Sequence, residues 1–404
     1  MPDHRLRHSP LLAVLAALAW AAAPTASGDG RPAAADDFTQ PVPASHQLRL
    51  PSPRSARLAE RRGGYGLEGP VLYRSDPIEA PHRFDIVGVA GEMHALEFRA
   101  RRNGGSWSDW VETDNGDPLY TGGTDEVQIR SRGVPIEGRL HYVSVDERVV
   151  EPAPTVPARP LTRNFSGARG VVTHPAVISR REWGANAPVG GCPPATAPLL
   201  GRIKAGVIHH TATTNEYTAA EAPAIVLGIC RYHRYANGWN DIGYNALVDR
   251  FGNLYEGRAG GLAKPIVGAQ AEGVNSQTTG IATIGDHQIT GATPTQRRSI
   301  VAYLAWKFSL AGIEATGRTH LLSAGGSSQR TPDGLYVKVP RIFSHSETNY
   351  TECAGAGLIA QIARIRHAVQ RRLDHFPGGA SPPAPTPVVP PPVVPPPVVP
   401  PPVP

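Results

Sequence analysis

The apolar and polar positions divide the chain into two kinds of folded sequence with low-complexity flanks. Between Arg83 and Asp146, short stretches such as FDIVGVAG, ALEFRAR, WSDWVE, EVQIRSR and RLHYVSVD have period-two or β-branched character and are broken by Gly, Asn and Asp. Side chains alternate between the faces of a strand, so this spacing predicts a small all-β, sandwich-like domain over 70–152. Over 176–376 strand and helix signals alternate. AGVIHHTA reads as an apolar strand. In AAEAPAIVLGICRYHRYANG, Ile225, Ile229 and Tyr232 share one helical face and Gly238 offers a stop. YNALVDRFGNLYEGR predicts a hairpin around Asp249–Asn253, and TTGIATIGD a buried strand. Thr293 before Pro294 opens a capped helix lined by Ile300, Tyr303 and Leu304, and AGAGLIAQIARIRHAVQRRL is a last amphipathic helix. The fold class expected here is α/β, a mixed central β-sheet flanked by helices.

The flanks differ. Arg5 and Arg7, the apolar run Leu11 to Ala23 and the small residues after it give 1–27 the order of a secretory signal peptide, cut near Ala26 or Ser27, with an uncleaved anchor as the alternative. Residues 28–69 lack apolar periodicity and read as a flexible lead, and a Pro-rich linker covers 153–175. The tail over 377–404 repeats VVPPP and is expected in polyproline II, which has no core to pack.

Charge narrows the partners only a little. A net charge of +6 suits an anionic cell-surface polymer and equally suits ordinary solubility. No Lys/Arg run is dense enough for nucleic acid. After signal cleavage no segment is expected to insert stably in a membrane. Trp107 and Trp110, at i and i+3, fit either a half-buried core position or a sugar-stacking surface.

The candidate chemistry starts from a cysteine count. Three cysteines in an exported chain allow one disulfide and leave one thiol for a metal, an intermolecular bond or a reactive role. In HSETNYTECAG, Cys353 stands eight residues after His345. The strand VIHHTAT brings His209 and His210, and only one of two neighbours on a strand faces a given site. Two imidazoles and a thiolate would leave tetrahedral zinc one open position, as a catalytic site requires. On spacing alone, a surface histidine beside a buried free cysteine is an equal reading.

Several motifs in order carry a resemblance. ISRREWGANAP, VIHHTAT, GWNDIGYNALVDRFGNLYEGRAGG, VGAQAEGVNSQTTGIATIGD and HSETNYTECAG resemble the peptidoglycan-recognition-protein and bacteriophage-type family of zinc N-acetylmuramoyl-L-alanine amidases, over roughly half the chain. The resemblance implies Zn²⁺ held by His209, His345 and Cys353, with Tyr244 and Thr351 catalytic. Tyr244 would donate to an oxyanion or orient the water. It implies substrate contacts at Asn245, Arg258, Gln270 and Asn275, and leaves His210 packed behind the site and His233 structural. With Cys353 assigned to metal, Cys192 and Cys230 remain as the disulfide pair. The implied activity is secreted, wall-associated hydrolysis of the amide between N-acetylmuramic acid and L-alanine of peptidoglycan. A non-catalytic peptidoglycan-binding protein is the alternative.

The chain departs from the family pattern in places. Gln270 stands where the family usually has His, and the closing motif reads His345-Ser346-Glu347 and Cys353-Ala354-Gly355. Glu347 is expected to keep a carboxylate near the ligands and orient one of them.

Overall fold

The computed structural model describes residues 35–48, 70–90, 96–113, 117–132, 135–145 and 172–375. The expected signal peptide, the Pro-rich tail and most of the linker lie outside the described residues.

The first domain is all-β. Its strands are β1 (Ala35–Pro41), β2 (His46–Gln47), β3 (Tyr73–Arg74), β4 (Ile78–Ala90), β5 (Leu96–Arg101), β6 (Val111–Thr113), β7 (Leu119–Ser131) and β8 (Arg139–Val145). They form one connected sheet, β1-β8-β4-β7-β3-β2, with β5 paired to β7 and β6. Phe84, Val87, Phe98, Val127, Ile129 and Leu140 fill its core. Two of these strands fall in the expected flexible lead, which is corrected here. Ala35–Pro41 pairs antiparallel with β8 along its whole length, and Phe38 stacks on Tyr142 at 4.8 Å. As a sheet-edge strand with mixed burial, ADDFTQP needs no clean alternation of its own.

Trp107 and Trp110 are neither core nor an open platform. Arg99 lies over both rings at 4.7 and 4.6 Å, Arg101 over Trp107 at 4.4 Å and Arg130 over Trp110 at 4.3 Å. The ring faces that sugar stacking would use are taken by guanidinium groups.

The second domain has a mixed sheet in the order β11-β10-β12-β9-β15. These strands are β9 (Ala205–His210), β10 (Ala246–Val248), β11 (Leu254–Glu256), β12 (Thr278–Thr283) and β15 (Ile342–Ser344). The pairs β10/β12, β12/β9 and β9/β15 are parallel, while β10 and β11 form the predicted hairpin. Asp249 closes that hairpin by accepting from the backbone N–H of Phe251 and Asn253. A separate ribbon joins β13 (Arg318–Leu322) to β14 (Tyr336–Pro340).

Three helices cover the sheet. α2 (Pro294–Ala311) starts with the predicted cap: Thr293 accepts from Gln296 N, and the Gln296 side chain returns to Thr293 N. It stops at Gly312, whose φ of 64° is left-handed. α3 (Ala356–Asp374) buries Leu358, Ile362, Ile365 and Val369. Both helices share a core with Ile208, Ile281 and Ile342 on one face of the sheet.

α1 (Ala222–Tyr235) covers the other face and is buried nearly all round. The sheet takes one side of this helix. Ile86, Tyr120, Val143 and Val145 of the β domain take another, joining Ile225, Leu227 and Ile229 in one core. The approach is close. A Cβ on Gly228 would lie 2.4 Å from Ile86, and one on Gly88 would lie 2.2 Å from the Tyr232 hydroxyl. Tyr232 donates to Val89 O at 3.0 Å, and Arg231 pairs with Asp37.

Candidate metal centre

The site lies where parallel strands end. His209 is the fifth residue of β9, and His345 follows β15 directly. Both project from the α1 side of the sheet, whereas Ile208 and His210 face the opposite core. Cys353 arrives from the loop before α3. Thr351 fixes that loop by accepting from Cys353 N at 3.0 Å. The ligand atoms of His209, His345 and Cys353 lie within 4.8 Å of one another, and all three residues are buried.

The hydrogen bonds around His209 fix its tautomer. The Thr278 hydroxyl donates its single proton to Val274 O at 3.1 Å, so it can only accept from the Gln270 amide NH₂, at 3.0 Å. That orientation turns Gln270 Oε1 to His209 Nε2, at 2.6 Å. Nε2 therefore carries the hydrogen, and the bare Nδ1 faces Cys353 Sγ at 3.6 Å. Burial pushes His209 down to about 4, against the Gln270 hydrogen bond and the charge of Asp117. Burial likewise holds His345 well below its ordinary value. Both imidazoles are neutral at neutral pH, as metal ligation requires. The buried His345 Nε2 has no hydrogen-bond partner within the protein. A polar atom so placed fits a metal ion, and the soft sulfur with two imidazoles suits zinc.

Tyr244 is at the site: its ring centroid lies 5.4 Å from that of His209, and its hydroxyl donates to both Asp117 oxygens at 2.8 Å. Gln270, expected to touch substrate, is buried with its amide committed to His209 and Thr278. Asn245 bridges Ile266 O and Gly280 N, Arg258 donates to Ile242 O, and Asn275 accepts from the backbone N–H of Gln270 and Ala271. These bonds tie the three into the loops they join. Glu347 is exposed and acts electrostatically on Arg366, so it does not orient a ligand. His210 lies behind the cluster, accepting at Nδ1 from His287 N at 3.1 Å. Cys192 and Cys230 are joined at 2.04 Å, tying the loop before β9 to α1. Sequence reasoning missed Asp117, which comes from the β domain 127 residues before Tyr244.

Residues 200–356 match the family model described as N-acetylmuramoyl-L-alanine amidase. This part of the chain is similar to peptidoglycan-recognition protein SC2 of Drosophila melanogaster, at 28% identity over 46% of this chain and 84% of the relative. It is similar to peptidoglycan-recognition protein 1 of Holotrichia diomphalia, at 38% identity over 28% of this chain and 52% of that one. The N-acetylmuramoyl-L-alanine amidase of Mus musculus matches at 30% identity over 39% of this chain and 27% of its own length. Among solved structures, peptidoglycan recognition protein-LE in complex with tracheal cytotoxin aligns at 29% identity, covering 47% of this chain and 93% of that one, with a TM-score of 0.35. No helix among the described residues is long and apolar enough to cross a membrane.

Proposed function

We propose that this protein is an exported, zinc-dependent N-acetylmuramoyl-L-alanine amidase that hydrolyses the amide between N-acetylmuramic acid and L-alanine of peptidoglycan. One observation carries the reading: two neutral imidazoles and a thiol, drawn from two segments far apart in the chain, converge within 4.8 Å. The amidase family match and the peptidoglycan-recognition relatives supply the substrate class.

His209 through Nδ1, His345 and Cys353 would hold the ion. When bound there, zinc supplies Lewis acidity, polarising a carbonyl and bringing the pKa of water toward ~7. The chain's own residues do the rest. Gln270 holds His209 in one tautomer, and Thr351 holds the Cys353 backbone. Tyr244, beside His209, orients the reacting group.

The test is metal content of the purified protein, followed by mass spectrometry of purified peptidoglycan digested with wild type and Cys353→Ser. Free stem peptide released by wild type alone is the expected result. Bound metal with no release from wild type would identify a binding protein instead.

A further inference from the structure

The hydroxyl of Tyr244 is spoken for by a residue from the other domain. Asp117 lies two residues before β7, and both its carboxylate oxygens are 2.8 Å from that hydroxyl. A carboxylate accepts only, and a phenol has one proton. Tyr244 must therefore be the donor, and its proton cannot also reach an oxyanion. Toward any other group the phenol oxygen then acts as an acceptor.

The second domain has a further donor aimed at the same carboxylate. Gly243 N–H donates to His233 Nδ1 at 3.1 Å, which leaves the His233 proton on Nε2, 3.1 Å from Asp117 Oδ1. His233 is fully buried, with its ring centroid 4.6 Å from that of Trp239. Two donors fixed by one domain thus converge on an acceptor supplied by the other. The acceptor is held in place from its own side as well, because Tyr120 of β7 belongs to the core shared with α1.

We propose that Asp117 is a positioning residue for the amidase reaction: it fixes Tyr244 as a hydrogen-bond acceptor that orients the attacking water, so that the functional site is built by both domains. The carboxylate makes a charge-assisted bond to the phenol and increases the electron density on its oxygen. That oxygen is then better suited to receive a water hydrogen and to point the water's own lone pair at the carbonyl. The water's proton count is unchanged by Tyr244, which neither gains nor releases a proton.

This inference rests on the amidase reading, and the experiment separates their failures. Zinc-loaded full-length Asp117→Asn, Asp117→Ala and Tyr244→Phe, singly and combined, are assayed for stem-peptide release, with metal content and melting temperature as controls. Loss of Asp117 is expected to lower kcat by roughly 10- to 100-fold with little change in KM. In the Tyr244→Phe background the further loss is expected to be less than about twofold, because the two residues act as one unit. A kcat that rises in Asp117→Ala would overturn the proposal and reveal a brake on Tyr244. An undiminished Asp117 effect in Tyr244→Phe would overturn it too. Tyrosine labelled with ¹³C at Cζ gives a readout independent of turnover: the Tyr244 resonance shifts in Asp117→Asn if the bond exists. An unmoved resonance refutes the pairing. An inactive wild type refutes the amidase reading and with it the positioning role given to Asp117.

Discussion

Gln270 Oε1 lies 2.6 Å from His209 Nε2, and this bond decides which nitrogen of His209 is left bare. Without it, either tautomer is open to the ring. Gln270→Leu is therefore expected to weaken metal affinity by about 10- to 100-fold, the usual cost of losing a partner that orients a ligand. Competition against a chromophoric chelator measures it; unchanged affinity would show that packing alone orients the ring.

Removing the metal should silence the protein without unfolding it. The site sits at one end of a sheet whose strands and helices have their own cores. Chelator treatment, or Cys353→Ser, is expected to abolish stem-peptide release while the far-ultraviolet circular dichroism stays native. Restored zinc should rescue the chelated wild type and leave Cys353→Ser inactive.

Thr293 and Gln296 exchange hydrogen bonds at the start of α2. Thr293→Ala leaves Gln296 N without its capping oxygen and is expected to cost about 1 kcal/mol. In a domain of this size the melting temperature falls by roughly 2–4 °C. Differential scanning calorimetry measures the shift, and an unchanged melting temperature would mean that solvent replaces the cap without loss.

Lys307 gives a pH dependence. Its buried Nζ donates to Leu262 O and Lys264 O at 2.7 and 2.8 Å, and burial lowers its pKa from 10.5 to about 8. Below the folded value the amine is charged in both states, and its burial costs stability in full. Between the two values the folded protein releases the proton while the unfolded chain keeps it, so stability rises with pH. Above 10.5 both states are neutral and the cost is gone. At about 1.4 kcal/mol for each pH unit, the relief is on the order of 3 kcal/mol. Urea unfolding of wild type measured against Lys307→Met should show this rise between about pH 8 and 10.5; a constant difference would contradict it.

The residues whose roles were legible in the sequence are those set by local pattern. His209 closes an apolar strand, His345 and Cys353 share one motif, and Thr293-Pro294 announces a helix start. Each depends on a few neighbours along the chain. What stayed hidden depends on packing between distant segments. Nothing near Asp117 marks it as a partner of Tyr244, because their meeting is made by the β domain seating on α1. The same seating buries α1 almost completely, where Ile225, Ile229 and Tyr232 had indicated one apolar face. Asn245, Arg258, Gln270 and Asn275 sit in recognisable motifs, but their bonds inside the fold are visible only in three dimensions. The cover over Trp107 and Trp110 did leave a trace, since Arg99 and Arg101 alternate along β5 and Arg130 lies on the neighbouring β7.

Gly228 and Gly88 lie where α1 and the β domain come closest, and neither leaves room for a methyl group. Expressing the second half by itself would strip that cover and hand water the flank of a helix made for a dry seam, along with an empty carboxylate seat. A shortened version chosen on motif boundaries alone would therefore be a sticky protein that has lost the Asp117 partner of Tyr244.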